Sequence, residues 1–275
     1  MTARRALPDL ERAAELVAER GGTLGRPLHV LAETSSTNDE AKHAAKAGAA
    51  HGSTWVAEQQ TAGRGRQGRT WESTPGEQIL ASTLLRVTVP PARLPPLALV
   101  AGLAVRDAVA RAVRPSARVM LKWPNDVLVD GRKVAGILVE ATISGGKVEA
   151  AIVGFGVNVH TRAFAGELAE RATSVALHAD TPPDRGVILA DVLAGLDRDV
   201  EHVLARGLGM VQARLREHDA LAGSTIRSED GMTGVALGID GEGRLLLRSD
   251  ADGIVRPLVA GEVHLLRGPA SSPST

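Results

Sequence analysis

The run RVMLKWPNDVLVDGRKVAGILVEATISGGKVEAAIVGFGVNV, Arg118 to Val159, decides the fold class. Its apolar residues fall into segments of strand length, Arg118–Trp123, Val127–Val129, Lys133–Ala141 and Lys147–Val159, separated by turn signals. Asp130-Gly131 is a strong two-residue hairpin turn and Gly145-Gly146 a second, because such turns need residues that accept positive φ. No helix-length segment separates these strands. The regular alternation of strand and helix that makes a doubly wound parallel sheet is missing, so the run predicts an α+β fold with a mixed or antiparallel sheet.

Polar residues interrupt this run at three places. Lys122-Trp123-Pro124-Asn125-Asp126 puts an amide and a carboxylate at a proline-shaped break, where a plain turn is the competing reading. Lys133 opens the apolar run Val134–Val139, either as a snorkelling edge residue or as a cation aimed into a cleft. Gly154 and Gly156, two apart ahead of Asn158, strip one strand face of side chains and leave room for a flat ligand.

Upstream, Pro95–Val113 is apolar on most faces and reads as a buried helix against the sheet. Before it lies TAGRGRQGRTW, Thr61 to Trp71, flanked by strand patterns at His51–Glu58 and Gln78–Val89. Glycine weakens helix and strand alike and lets the main chain approach a ligand; arginine offers a planar fork of donors to carboxylate or phosphate. The stretch matches G-x-G-x-x-G at Gly63, Gly65 and Gly68, but RTWESTPGEQ does not open a helix, as a dinucleotide site requires. No P-loop motif occurs anywhere. An anion-closing loop remains, against a solvated basic loop or a loose nucleic-acid contact.

Ser36–Ala47 predicts a helix ending at Gly48, with Thr37 and Glu40, or Ser36 and Asp39, in capping-box spacing. Those hydroxyls either cap the helix or meet a polar ligand. Pro8–Arg20 predicts a short amphipathic helix, too little for a helix-turn-helix head. Downstream, Arg185–Arg206 and Val211–Leu221 carry helical patterns, and from Gly223 onward short strands alternate with Gly and Asp turns, as in a small β-barrel.

Thirty-two basic residues balance 32 acidic ones, so no global field draws nucleic acid or membrane, and anion binding needs a local site. Cysteine is absent, which excludes disulfides and thiolate chemistry and fits a cytoplasmic location. With three Trp, two Phe and no Tyr, stacking platforms for single strands are scarce.

Taken together, SSTN (Ser35–Asn38), GRGRQGRTW (Gly63–Trp71), KWPND (Lys122–Asp126), RKVAGILVE (Arg132–Glu140), GFGVN (Gly154–Asn158) and the β-rich C-terminal stretch closely resemble the biotin protein ligases. The order matches over Glu33–Arg267. The resemblance implies a class II synthetase-like catalytic fold over residues 1–221, with only a helix in 1–30, a small SH3-like barrel over 222–268 and a polar tail at 269–275. It implies that biotin and ATP, with magnesium, give biotinyl-5'-AMP and pyrophosphate, and that biotin then passes to a lysine on the biotin carboxyl carrier domain of an acyl-CoA carboxylase.

By the family's pattern, Ser36, Thr37, Asn38 and Gln60 bind the biotin ring system, and Gly63, Gly65, Gly136, Gly154 and Gly156 line its slot. Arg64, Arg66 and Lys133 hold the biotin carboxylate and α-phosphate together against their repulsion. Arg66, Arg69, Trp71, Asn125, Lys133 and Asn158 contact the nucleotide, magnesium arrives with ATP rather than at a protein-only site, and Asp126 orients or deprotonates the acceptor lysine. The resemblance is to members lacking a winged-helix repressor head, so no DNA or membrane partner is expected; monomer and weak homodimer are both open. A lipoate or octanoate ligase shares the fold class, although the GRGRxGR loop argues against it, and a non-enzymatic biotin-sensing regulator would need operator DNA binding.

Overall fold

A computed structural model describes residues 8–267; the polar tail expected at 269–275 lies outside the described residues. Seven strands, β1 (Leu28–Thr34), β2 (Thr54–Gln60), β3 (Gln78–Val89), β4 (Val119–Lys122), β5 (Asp126–Val129), β6 (Arg132–Ser144) and β7 (Lys147–Asn158), form one sheet in the order β1-β2-β3-β7-β6-β5-β4. Only β1 and β2 are parallel, joined by helix α2 (Thr37–Lys46); every other neighbouring pair is antiparallel. Both expected hairpin turns form with positive φ at their two central residues, Asp130 and Gly131, and Gly145 and Gly146.

The period-2 alternation of the strands separates two faces. Ala81, Leu85, Val153, Phe155 and Val157 point to one side, where they bury against α3 (Pro95–Ala112) and α5 (Arg185–Arg206). Those two helices pack closely because Gly195 lacks a side chain: a Cβ there would lie 3.2 Å from the Cβ of Ala104. Helix α1 (Pro8–Glu19) joins this layer through the buried Arg185, whose guanidinium binds both oxygens of Asp9 (2.7 and 2.9 Å) and reaches Glu58 (3.0 Å).

On the opposite face α2 covers a smaller patch of Ala41, Ala45, Trp55, Leu84, Ala150 and Ile152. The same face continues past α2 along Ser82, Gly136, Leu138, Gly154 and Gly156, where no helix lies over the sheet and a cavity opens. The fold thus positions a site by leaving half of one sheet face uncovered.

The short helices α4 (Leu168–Arg171) and α6 (Gln212–Glu217) flank the sheet. Helical pattern over Val211–Leu221 survives only within α6. His218–Ala220 instead runs along β4, Leu121 donating to the His218 carbonyl (2.7 Å) and Ala220 donating to Leu121 (2.9 Å), which satisfies an otherwise bare sheet edge. The capping box also fails. Ser36 is the N-cap residue but makes no side-chain capping bond, and Glu40 receives the Thr34 hydroxyl rather than closing on the helix.

A second, antiparallel sheet follows: β8 (Thr225–Ser228), β9 (Thr233–Ile239), β10 (Leu245–Ser249), β11 (Val255–Leu258) and β12 (Val263–Arg267), in the order β11-β10-β9-β8-β12. Its inner residues Ile226, Ala236, Leu245 and Leu247 belong to the same continuous core as the first sheet. Trp123, 2% exposed, crosses between them and donates its indole N–H to the Gly243 carbonyl at 3.0 Å.

Candidate active site

The cavity, about 1330 Å³, lies over the uncovered half of the sheet and is walled by the start of α2, the Thr61–Trp71 loop, the β4–β5 turn, residues 161–172 and the first residues of β12. At its inner end Thr37 opens α2 and donates both its backbone N–H (2.7 Å) and its hydroxyl (3.0 Å) to Gln60 Oε1 on β2. Ser82 on β3 lies 2.6 Å from Asn38 Oδ1 and 2.7 Å from Thr37 Oγ1, while Asn38 Nδ2 donates to Glu140 Oε2 at 2.6 Å. These groups fix one another's rotamers, so a polar ligand would meet a preset array of donors and acceptors.

The glycines separate into two uses. A Cβ on Gly154 would fall 2.1 Å from Asn38 Oδ1, and one on Gly156 2.5 Å from the Trp71 ring. Trp71 therefore lies flat against bare strand backbone at Gly156, with Gly136 beside it (3.1 Å from a would-be Cβ) and the Lys133 ammonium 5.7 Å from its ring centroid. The space opened at Gly156 is taken by an indole that itself lines the cavity. Gly63, expected to line the biotin slot, does not face the cavity. A Cβ there would lie 2.5 Å from the Trp71 carbonyl, so its missing side chain serves the close approach of the two ends of the loop.

That loop is a closed structure. Trp71 N–H donates to Gly63 O (3.0 Å), Gly65 N–H to Arg69 O (2.7 Å), and the tip turns through positive φ at Gln67 and Gly68. Its arginines diverge. Arg64 forms a two-bond fork with Asp39 (2.6 and 2.7 Å) and lies 3.6 Å from Glu140. Among the described residues the Arg66 side chain donates only to Asn125 Oδ1 (3.2 Å), and Arg69, mostly exposed, pairs with Glu262 ahead of β12 at 2.5 Å. The Arg64 fork holds the Asp39 carboxyl below the usual aspartate range and raises the guanidinium in turn. Burial alone would push the Glu140 carboxyl up, but hydrogen bonds from Lys42 and Asn38 outweigh it and leave it lowered.

Lys133 lines the cavity, its ammonium 2.7 Å from Asp126 on the neighbouring strand β5. Its backbone carbonyl accepts from Thr173 N–H (2.8 Å), and Thr173 O in turn accepts from Asn158 Nδ2 (3.1 Å), which ties Lys133 and Asn158 to one buried strut. Asn125 is fixed by donation to Ile137 O at 2.7 Å. Among the described residues no cluster of three or more His, Cys, Asp or Glu could hold a metal ion.

Every other expected site residue lines this one cavity, from Ser36, Thr37, Asn38 and Gln60 through the loop residues Arg64, Gly65, Arg66, Arg69 and Trp71 to Asn125, Asp126, Lys133, Gly136, Gly154, Gly156 and Asn158. Reading by motif missed Asp39, Ser82, Glu140, Lys122 and Glu262. For Glu140, which closes the RKVAGILVE motif, the alternation counted from Gly136 and Leu138 was a usable signal; Glu262 had none.

The arrangement has known counterparts. Residues 30–158 match the profile of the biotin/lipoate A/B protein ligase family. Over 254 residues the chain is 38% identical to the biotin–[acetyl-CoA-carboxylase] ligase of Mycobacterium tuberculosis (strain ATCC 25618 / H37Rv), covering 90% of this chain and 91% of that one. The chain belongs to the biotin protein ligase family. The family also includes the bifunctional ligase/repressor BirA of Bacillus subtilis (strain 168), 33% identical over 84% of this chain and 71% of that protein. The biotin protein ligase from Aquifex aeolicus in complex with biotin and ATP superposes with a TM-score of 0.73 at 30% identity, covering 88% of this chain and 99% of that one.

Proposed function

We propose that this chain activates biotin with ATP and transfers it to a lysine of a biotin carboxyl carrier domain of an acyl-CoA carboxylase. One observation carries the reading: a preset polar end, an indole lying on glycine-bared strands and the cations Lys133 and Arg66 share one cavity. A bicyclic ring with a carboxylate tail and a nucleotide are together what such a cavity accepts.

In the first step the biotin carboxylate attacks the α-phosphorus, forming the acyl–phosphate bond as the bond to the β-phosphate oxygen breaks and pyrophosphate leaves. Two anions must approach, so positioning and charge screening dominate the barrier. Ser36, Thr37, Asn38 and Gln60 anchor the ring, which sets the reach of the tail. Lys133 exchanges its contact with Asp126 for the carboxylate and α-phosphate, and Arg66 swings from Asn125 to the same oxygens, while Arg64 stays with Asp39 and braces the loop. Trp71 and Asn158 take the nucleotide. Magnesium fits as an ion carried by the phosphates, with Asp126 the neighbouring carboxylate, and would supply charge neutralisation. In the second step an uncharged acceptor lysine attacks the acyl carbon, AMP leaves, and Asp126 orients the incoming amine. Residues 1–221 make up the catalytic unit, and 222–268 form a smaller unit that contributes Glu262 to the cavity wall.

The test is pyrophosphate release from ATP with biotin, with lipoate and with neither, for wild type beside Lys133→Ala. Biotin-dependent release that collapses in the variant is expected. Release with lipoate instead of biotin would move the substrate assignment to the lipoate branch.

A further inference from the structure

The cations around the cavity differ in what already holds them. Arg64 is bound to Asp39, Lys133 to Asp126, Arg69 to Glu262 and Arg171 to Glu167, and Arg66 rests on the Asn125 amide. Two are exceptions, Arg118 and Lys122. Arg118 is exposed at the rim, whereas Lys122 is half-buried in the cavity wall, and among the described residues its ammonium makes neither a hydrogen bond nor an ion pair.

Its position is set by alternation along β4: Val119 and Leu121 bury in the core, and Met120 and Lys122 face the cavity. Around it stand Asp126 on β5, Lys133 on β6, Arg171 at the end of α4 and Glu262 before β12; the two carboxylates support its charge, the two cations oppose it, and burial dominates, lowering its pKa. A half-buried ammonium without a partner has given up part of its hydration with nothing in return. An anion entering the cavity would supply the missing partner.

The strand order identifies which anion. Across the uncovered face it runs from Ser82 on β3 and Gly154 on β7, through Lys133 on β6, to Asp126 on β5 and Lys122 on β4. β4 lies two strands, roughly 10 Å, beyond β6, and Lys122 shares a row of the ladder with Asp126 and Gly136. It lies on the side away from the end assigned to biotin. Displacement at phosphorus needs the leaving group opposite the attacking oxygen. Resting on the ligase reading above, we infer that Lys122 binds the leaving pyrophosphate of ATP during adenylate formation.

The experiment uses Lys122→Met and Lys122→Arg in the full chain with three readouts. Titration calorimetry measures binding of inorganic pyrophosphate, pyrophosphate–ATP exchange measures the first step, and transfer from supplied biotinyl-5'-AMP to the carrier domain measures the second. For Lys122→Met we expect at least a tenfold loss of pyrophosphate affinity and a matching rise in the KM for pyrophosphate in exchange, with transfer from supplied adenylate unchanged. Its melting temperature does not fall, since the ammonium has no partner to lose, whereas a structural lysine would lower it. Lys122→Arg restores most of the binding. Unchanged pyrophosphate affinity in Lys122→Met, or transfer slowed as much as exchange, overturns the assignment. Because pyrophosphate binding is read without turnover, failure of wild type to use biotin would sink the ligase reading and still decide this one.

Discussion

The Thr61–Trp71 loop and the β4–β6 hairpins both deliver cations to one cavity, and they do so in opposite ways. The loop holds its arginines on a glycine-rich backbone and steadies two of them, Arg64 and Arg69, with carboxylates taken from other elements, Asp39 of α2 and Glu262 next to β12. The hairpins hold Lys122 and Lys133 at fixed positions of a ladder, and only Lys133 has a carboxylate partner, Asp126 on the adjacent strand. A cation on a ladder is prepositioned for chemistry that tolerates little error; a cation on a latched loop can let go and close again. On the function proposed above, the hairpins would act chiefly in bond making and the loop chiefly in retention.

If that division is right, the largest effect comes from the hairpins. Lys133→Ala removes the one ammonium placed between Asp126 and the Trp71 ring, and loss of a prepositioned charge of this kind slows the chemical step by about 10²–10³-fold. Single-turnover formation of biotinyl-5'-AMP should show it, with biotin binding itself changed far less. Equal losses in binding and in rate would mean that Lys133 is a general anion site with no special place in the displacement. Arg66→Gly should behave differently. It should still form the adenylate but release it faster, by about 10–100-fold if one charge-assisted hydrogen bond of roughly 1.5–3 kcal/mol is lost from the closed state. Retention of the labelled intermediate on a desalting column separates the two, and wild-type retention would contradict the clamp.

A third variant asks whether the loop's aromatic residue belongs to the rigid half of the site. Gly156→Ala puts a methyl 2.5 Å from the Trp71 ring, an overpacking of about 1–3 kcal/mol that should appear as roughly a tenfold rise in the KM for ATP. Combining it with Trp71→Ala removes the clash, so the two effects should be strongly non-additive. Additive effects would show that the indole leaves the strands before nucleotide binds, and Trp71 would then belong with the mobile arginines.

The same contrast explains what could be read from the chain. The hairpins were legible because turn chemistry and period-2 alternation are local: Asp130-Gly131 and Gly145-Gly146 fixed two turns, and the spacing of Gly154 and Gly156 placed both on one face. Whatever depended on a partner far along the chain was not. Gly63 and Gly156 look alike in sequence, but only the folded chain tells whether the absent side chain clears a backbone carbonyl or an indole. Thr37 has capping-box spacing, yet its hydroxyl goes to Gln60 because β2 lies parallel to β1 and brings that amide to the helix start. Residues 218–220 follow a helical pattern but pair with β4, since an open sheet edge outweighs local propensity.

The smallest expected effect tests the latch from its far end. Glu262→Gln removes the carboxylate that holds Arg69, a residue whose side chain is 63% exposed, and an ion pair in that setting is worth well under about 1 kcal/mol. Stability should not change measurably, and adenylate release should quicken by no more than about threefold, less still at high salt where the pair is already screened. The Arg64–Asp39 fork and the hydrogen bonds across the base of the loop remain, and they account for most of its closed geometry. Should Glu262→Gln release the intermediate as fast as Arg66→Gly, retention would be governed by the second sheet's grip on the loop tip, and the loop would have to be counted as a part shared between the two sheets.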